Sequence, residues 1–398
     1  MPRLVAAGVV GAIAFLLIGW SGLLVPSLIR SVKETFDQSD AGIGLFYLLF
    51  SVAWAAGAFG GGLVTERLGR RRVLTLAAGL IAVGLIGLGL APGWAIFLVA
   101  ALPSGLGAGM IDGGGNGLFL DLFQSGRGRA LNLLHLFFSI GALATPVTVG
   151  LLVESGVDWR SIILATGLAA IPVAILFGIV PMPGGRRERR HGPEWPDSTA
   201  SRARPPRLAA PLLLMAFAIA CYVASEVGVS SWLVRYLEPA PLSIATLALS
   251  LYWLGIAIGR LLSSLLADRF DHRRFTLACA AVLAFVLVAA ILVPSLPLSI
   301  AFFGLAGVAS GPIFPMIIAI GGERYRDRST AVSGFLGGTG VIGSIVYPSI
   351  MGFMSVTVGL TVAMLGNAVL ALACAVALVL VGRSTAGADR LVNTPRES

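Results

Sequence analysis

Charge is what this 398-residue sequence has least of: 12% of its residues are charged, 57% are hydrophobic, and the mean hydropathy is +0.92. Soluble domains carry about 25% charged residues, so a water-soluble core of this size is excluded. Cysteine is nearly missing as well. Cys221, Cys279 and Cys374 all fall in apolar runs, which offers neither metal-ligand spacing nor a disulfide framework. No nucleophile–base constellation and no metal set stands out, so neither an enzyme nor a bound cofactor is expected. The formal charge of +9 could suggest nucleic acid, but the basic residues are spread over many short loops instead of one face, and nucleic acid is not an expected partner. The apolar N-terminus with Arg3 at its front resembles a signal peptide. It has no convincing cleavage site and further spans follow, so it reads as an uncleaved first helix.

What the sequence has in abundance is apolar runs of spanning length, about 20 residues each. Twelve are present, near 5–28, 42–64, 73–91, 95–122, 130–153, 160–182, 208–236, 243–266, 275–293, 297–320, 329–354 and 359–382. The expected fold is therefore all-α: a polytopic membrane protein with twelve transmembrane helices in two six-helix halves, embedded in a lipid bilayer. With the N-terminus inside, 23 of the 28 basic residues fall in cytoplasmic segments and four in outer loops. That imbalance puts both termini in the cytoplasm of an inner-membrane protein. Residues 183–207 hold seven arginines, three acids and five prolines, a composition that cannot bury a core. They divide the chain into an N-terminal bundle (1–182), a cytoplasmic linker (183–207), a C-terminal bundle (208–383) and a tail (384–398).

The fourth run contains Gly105-Leu-Gly-Ala-Gly-Met-Ile-Asp112-Gly-Gly-Gly-Asn116-Gly117, seven glycines in thirteen residues. A Gly-x-Gly-x-Gly string can cradle a dinucleotide, but that motif needs a soluble strand–turn–helix unit. The flanks here are apolar and continue one span. The i,i+4 spacing puts Asp112 and Asn116 on one helix face. An ionised carboxylate facing lipid is costly, so Asp112 is expected to face protein or water and to mark a substrate or ion path. A structural hydrogen bond between helices is the plainer alternative. The glycines allow neighbouring backbones to approach closely.

The halves repeat each other. Gly62-Leu-Val-Thr-Glu66-Arg67-Leu-Gly69-Arg70-Arg71-Arg72 follows the second run, and Ser264-Leu-Leu-Ala-Asp268-Arg269-Phe-Asp271-His272-Arg273-Arg274 follows the eighth. Glu66 and Asp268 lie 202 residues apart; Arg127 and Arg326, after runs four and ten, lie 199 apart. Two landmarks at nearly one period indicate duplication. In folds of this kind the substrate site lies near mid-membrane, where the repeats meet. The acid-Arg-x-Gly-Arg-Arg turn resembles the signature loop of the major facilitator superfamily, with Glu66 in place of aspartate; in the second copy Asp271 stands at the glycine position. The resemblance covers the whole chain and implies a conformational latch at Gly62, Glu66, Arg67, Gly69, Arg70, Arg71, Asp268 and Arg269. The same arginines could instead serve only to hold a turn inside.

A narrower resemblance lies in Gly109-Met-Ile-Asp112-Gly-Gly-Gly-Asn116 with Leu131-Asn132-Leu-Leu-His135, which is similar to the fucose–proton symporter branch of that superfamily. It implies Asp112 as the proton-binding acid and Asn116 as a substrate contact. The acid that the branch carries in span one is absent from Gly19-Trp20-Ser21-Gly22. Span seven holds a second acid, Glu226, with Tyr222 on the same face and Trp232 near the span end. Rings and hydroxyls beside a carboxylate suit a sugar or polyol. Trp232 could equally belong to an interfacial aromatic belt, and Glu226 could be interhelical glue. His135 is a third proton-relay candidate or a packing residue. Arg260 in span eight needs a partner or a route to the surface, and could snorkel, pair with Glu226 or meet an anionic substrate. Gly311-Pro312 should bend span ten, placing Phe314 at a cavity or in the core.

Together these features point to a secondary transporter, acting as a monomer on a small solute and protons by alternating access. The expected activity is proton symport of a small neutral sugar or polyol. A proton antiporter exporting amphipathic compounds is the alternative, and a non-transporting membrane receptor or scaffold the third.

Overall fold

With no hydrophobic force to drive helix against helix in lipid, close backbone packing has to hold the bundle together, and glycine supplies it here. The structure is a computed structural model that describes residues 2–123, 127–182, 210–266, 269–325 and 328–392. The central stretch 183–207, Asp268 and the last six residues lie outside that description. Among the described residues there are fifteen α-helices and no strand. Twelve spans are long and apolar enough to cross a membrane, each bounded within four residues of the run read from sequence. The fold is all-α and polytopic, as expected. By contacts the chain forms two compact units, Met1–Trp195 with Ser231–Ser250, and Pro196–Ser230 with Leu251–Ser398.

In the first unit, α6 (Trp94–Leu122) packs against α1 (Pro2–Gly22), α4 (Asp40–Leu68) and α5 (Arg70–Leu90). Its glycines are distributed over three faces. A methyl group at Gly109 would overlap the Trp54 carbonyl oxygen of α4, and one at Gly113 would lie 2.8 Å from the Ala58 carbonyl oxygen. A methyl group at Gly107 would overlap Ala77 of α5, and one at Gly115 the ring of Phe15 of α1.

The second unit repeats the contact. There α10 (Leu242–Leu266) meets α12 (Leu296–Ser310), with the Tyr252 carbonyl over Gly307 and the Ile256 carbonyl over Gly311. Adding 198 to 54, 58, 109 and 113 gives 252, 256, 307 and 311, so the fastener is the same in both units. The tenth span then breaks at Gly311-Pro312 into α12 and α13 (Ile313–Arg324), because proline removes a backbone donor. Large apolar side chains such as Phe285, Val369 and Leu265 are more than half exposed on the spans, as lipid-facing surface requires.

The contact can be tested by adding one methyl group. Gly109→Ala should force α4 and α6 apart and destabilise the protein by about 1–3 kcal/mol. Gly79→Ala, with nothing within 4 Å of its added carbon, should be neutral or stabilising by roughly 0.5–1 kcal/mol. Thermal unfolding in detergent reads both, and equal melting temperatures would remove the fastener from the account.

Candidate functional site

The close approach at Gly109 brings an α4 side chain to α6. Trp54 donates its indole N–H to Asp112 Oδ2 at 3.4 Å, and Asn116, one turn on, donates its amide to Asp112 Oδ1 at 3.1 Å. Both donors are neutral, and among the described residues no ion pair reaches Asp112. With its nitrogen so committed, the buried amide oxygen of Asn116 has no partner among the described residues. The Trp54 ring meets Phe50 edge-on with centroids 5.8 Å apart. His135, on α7 (Arg127–Glu154), is exposed and meets the edge of Phe15 at 5.4 Å. Trp232 is fully buried against Tyr47, whose hydroxyl donates to the Ser231 carbonyl at 2.8 Å. All of these belong to the first unit.

The second unit holds a separate polar cluster. On α9 (Ala210–Tyr236), the buried Tyr222 donates its hydroxyl to the half-buried Glu226. Tyr252 and Arg260, both on α10, lie within electrostatic reach of this pair. Ser310, at the end of α12, is fully buried beside the Tyr252 phenol, and among the described residues its oxygen makes no hydrogen bond of normal geometry. Phe314 is half-buried, its ring 3.4 Å from a methyl group built at Gly340. The structure thus groups Tyr222, Glu226 and Arg260 in one unit, and Asp112 with Asn116 in the other.

The loop after α4 is a single residue. Gly69, at φ +83° and ψ 147°, separates α4 from α5, in a region that only glycine populates readily. Arg70 pairs with Asp121 at 2.8 Å and Arg71 donates to the Gly178 carbonyl, near the C-terminal ends of α6 and of α8 (Trp159–Ile179). Cations at helix C-termini also meet the negative end of the dipole. Arg67 and Gly62 are exposed. In the second copy Asp271 replaces glycine at φ −58° and caps α11 (His272–Leu292), accepting from Arg274 N at 2.8 Å. A capping carboxylate makes the turn there without a positive φ. Arg269 is exposed.

The family description Major Facilitator Superfamily matches residues 9–243 and again 229–397. The chain belongs to the major facilitator superfamily. It is similar to the uncharacterized MFS-type transporter YfkL of Bacillus subtilis strain 168, at 23% identity over 86% of this chain and 87% of that one. It is also similar to the protein TsgA homolog of Citrobacter koseri, at 24% identity over 80% and 77%. Among solved structures, the inward-facing, unoccupied form of a bacterial homolog of the human lysosomal transporter Spinster superposes with a TM-score of 0.77, at 16% identity over 96% and 98%. A D-xylose–proton symporter superposes at 0.75, with 15% identity over 94% and 97%. At these identities the structures show the fold alone. As a member of this superfamily the protein is a multi-pass membrane transporter.

Several polar residues of this transporter escape a reading of local sequence. Trp54 stands 58 residues before Asp112, with no spacing signal to join them. Arg30, Lys33 and Arg235 look like ordinary outer-loop charges, yet Arg30 donates to the carbonyls of Val234, Leu237 and Ala240. The buried Asp40 accepts from both Lys33 and Arg235. These bonds join the α9 end to α3 (Ile29–Phe36) and α4 within the first unit. Charge balance between Asp40 and its two cations is the signal that could have found them.

The signature loop gives the next test. Gly69→Ala should cost about 1–3 kcal/mol through its backbone conformation alone, read as a lower melting temperature. Gly62→Ala, with open space around the added carbon, should melt like wild type. A Gly69→Ala protein of unchanged stability would mean that the loop relaxes freely.

Proposed function

We propose that this transporter is a proton-coupled symporter for a small hydroxylated solute of the sugar or polyol class. It acts as a monomer in the cytoplasmic membrane, with both termini inside. The observation that carries this reading is Asp112, a carboxylate within span four whose two hydrogen-bond donors, Trp54 and Asn116, are both neutral. A partner cation would hold such an acid permanently charged; neutral donors leave it able to gain and lose a proton. The unpartnered amide oxygen of Asn116 offers an acceptor to a solute hydroxyl, and the Trp54 ring a face for the apolar side of a sugar. This arrangement agrees with the fucose–proton resemblance of the same segment, and a D-xylose–proton symporter shares the fold.

In this reading Glu226 and His135 are further proton-handling groups, while Tyr222, Trp232, Phe314 and Arg260 flank the solute. The loop residues Glu66, Arg67, Arg70, Arg71, Asp268 and Arg269, with Gly62 and Gly69, bias the conformational equilibrium without touching solute. Addition of solute to lightly buffered cells should make the medium alkaline. Export in exchange for protons would not.

Asp112→Asn mimics the protonated acid. Such a protein should still exchange solute across the membrane, because exchange needs no proton release. It should fail to accumulate solute against a gradient, and its solute binding should lose pH dependence. Uphill, pH-dependent accumulation at wild-type level in this variant would make Asp112 structural and pass the coupling role to Glu226 or His135.

A further inference from the structure

Arg260 lies inside the span Leu242–Leu265, five residues from its end, and is half-buried, so its ionised side chain needs a compensating group or a route to the surface. Among the described residues its guanidinium has no hydrogen-bond acceptor and no carboxylate within ion-pair distance; only its backbone carbonyl is used, by Ser263. Helical side chains lean toward the N-terminus, which carries the guanidinium back along α10, within electrostatic reach of Tyr222 and Tyr252. Glu226 is held instead by the Tyr222 hydroxyl.

A second observation comes from the facing helix. A methyl group built at Gly311 would lie 2.7 Å from Arg260 N, so α10 and the end of α12 are in backbone contact here. The neighbouring Ser310 is fully buried with the Tyr252 phenol beside it, and among the described residues its hydroxyl makes no hydrogen bond of normal geometry. An unpaired intramembrane cation and an unsatisfied buried hydroxyl thus occur together in one unit. Leaving either unmatched is costly, and one anionic ligand group would satisfy both.

We propose that Arg260 and Ser310, with Tyr252 beside them, anchor a carboxylate of the transported solute, which is therefore a polyhydroxylated monocarboxylate such as an aldonate or uronate. The proposal rests on the hydroxylated-solute reading and adds the acidic group to it, replacing the uncharged solute expected from sequence. The planar guanidinium fork matches a carboxylate. A single cation balances a single negative charge, and nearby Glu226 opposes a dianion such as phosphate. Tyr252 and Ser310 fall at the positions that Trp54 and Asp112 occupy in the first unit, each shifted by 198 residues. The second unit thus presents a phenol and a hydroxyl to an anion at the rank where the first carries its acid.

The test is ligand-induced thermal stabilisation of the purified full-length protein. Gluconate and galacturonate are compared at equal concentration with glucitol, galactose and inorganic phosphate. The acids should raise the melting temperature of wild type. Arg260→Gln should need roughly tenfold more acid, or higher still, for the same shift, the loss expected for a charged hydrogen bond. Arg260→Lys should fall between the two, and Ser310→Ala should weaken binding to a smaller degree. Glu226→Gln, which removes the opposing negative charge, should bind the acids more tightly, and the exposed Arg274→Gln should be unchanged. If Arg260→Gln does not fold, Arg260→Lys and Ser310→Ala carry the comparison.

A shift from glucitol or galactose with none from the acids would overturn the anchor and leave the hydroxylated-solute reading standing. No shift from any hydroxylated compound would overturn both. A shift from phosphate alone would overturn the carboxylate assignment, and acid binding that survives Arg260→Gln undiminished would overturn the role of Arg260.

Discussion

The architecture depends on backbone-to-backbone contact between helices, and two equivalent pairs, α4 with α6 and α10 with α12, show it in the same register. In each unit a carbonyl of one span sits over a glycine of its neighbour, at a distance that no β-carbon could share. Lipid offers little advantage to burying one apolar side chain against another, so such contacts do the work that a hydrophobic core does in water. They also fix geometry. With the Trp54 carbonyl over Gly109, the indole of the same residue reaches Asp112, three positions along α6. With the Tyr252 carbonyl over Gly307, the phenol lies beside Ser310, again three positions along. The fastener and the chemistry are thus one turn apart in both units.

Duplication kept the fastener and released the chemistry. At equivalent ranks the first unit carries indole and carboxylate where the second carries phenol and hydroxyl. The same freedom shows in the loops. Gly69 makes its turn with a positive φ, whereas Asp271 makes the equivalent turn with an ordinary φ and a capping carboxylate. The ion pair between Arg70 and Asp121 has a counterpart in His272 and Glu323, 2.8 Å apart, which needs a protonated imidazole to be an ion pair at all. Constraints on backbone approach are strict because a methyl group suffices to break them. Constraints on turns and surface pairs are loose because several residue types solve the same problem.

This difference sets what could be read from sequence. The twelve spans were legible because hydropathy over twenty residues is an average, insensitive to any one position. The break at Gly311-Pro312 was legible because proline acts locally, whatever its surroundings. Asp112 and Asn116 were legible as a pair because helical spacing alone joins them. Trp54 was not, since its partner lies on another helix and nothing local marks one tryptophan among seven. The glycines of the fourth span were read as allowing close approach, but which faces they served needed the neighbours: α4, α5 and α1 each take a share. Arg30, Lys33 and Arg235 count toward topology, but a tally of basic residues discards their pairing, and Asp40 does not enter it at all.

The two polar clusters also differ in how their charges are held. The acid of the first unit accepts from two neutral donors, Trp54 and Asn116. The second unit keeps a cation and an acid in reach of the same two tyrosines, with the acid bonded to a phenol and the cation, among the described residues, without a hydrogen-bond acceptor or ion-pair partner. If these two charges existed only to cancel one another, a direct ion pair would be the cheaper arrangement, since separated charges inside a span each keep part of their desolvation cost. The missing ion pair is consistent with the proposal that Arg260 is kept for the carboxylate of a solute.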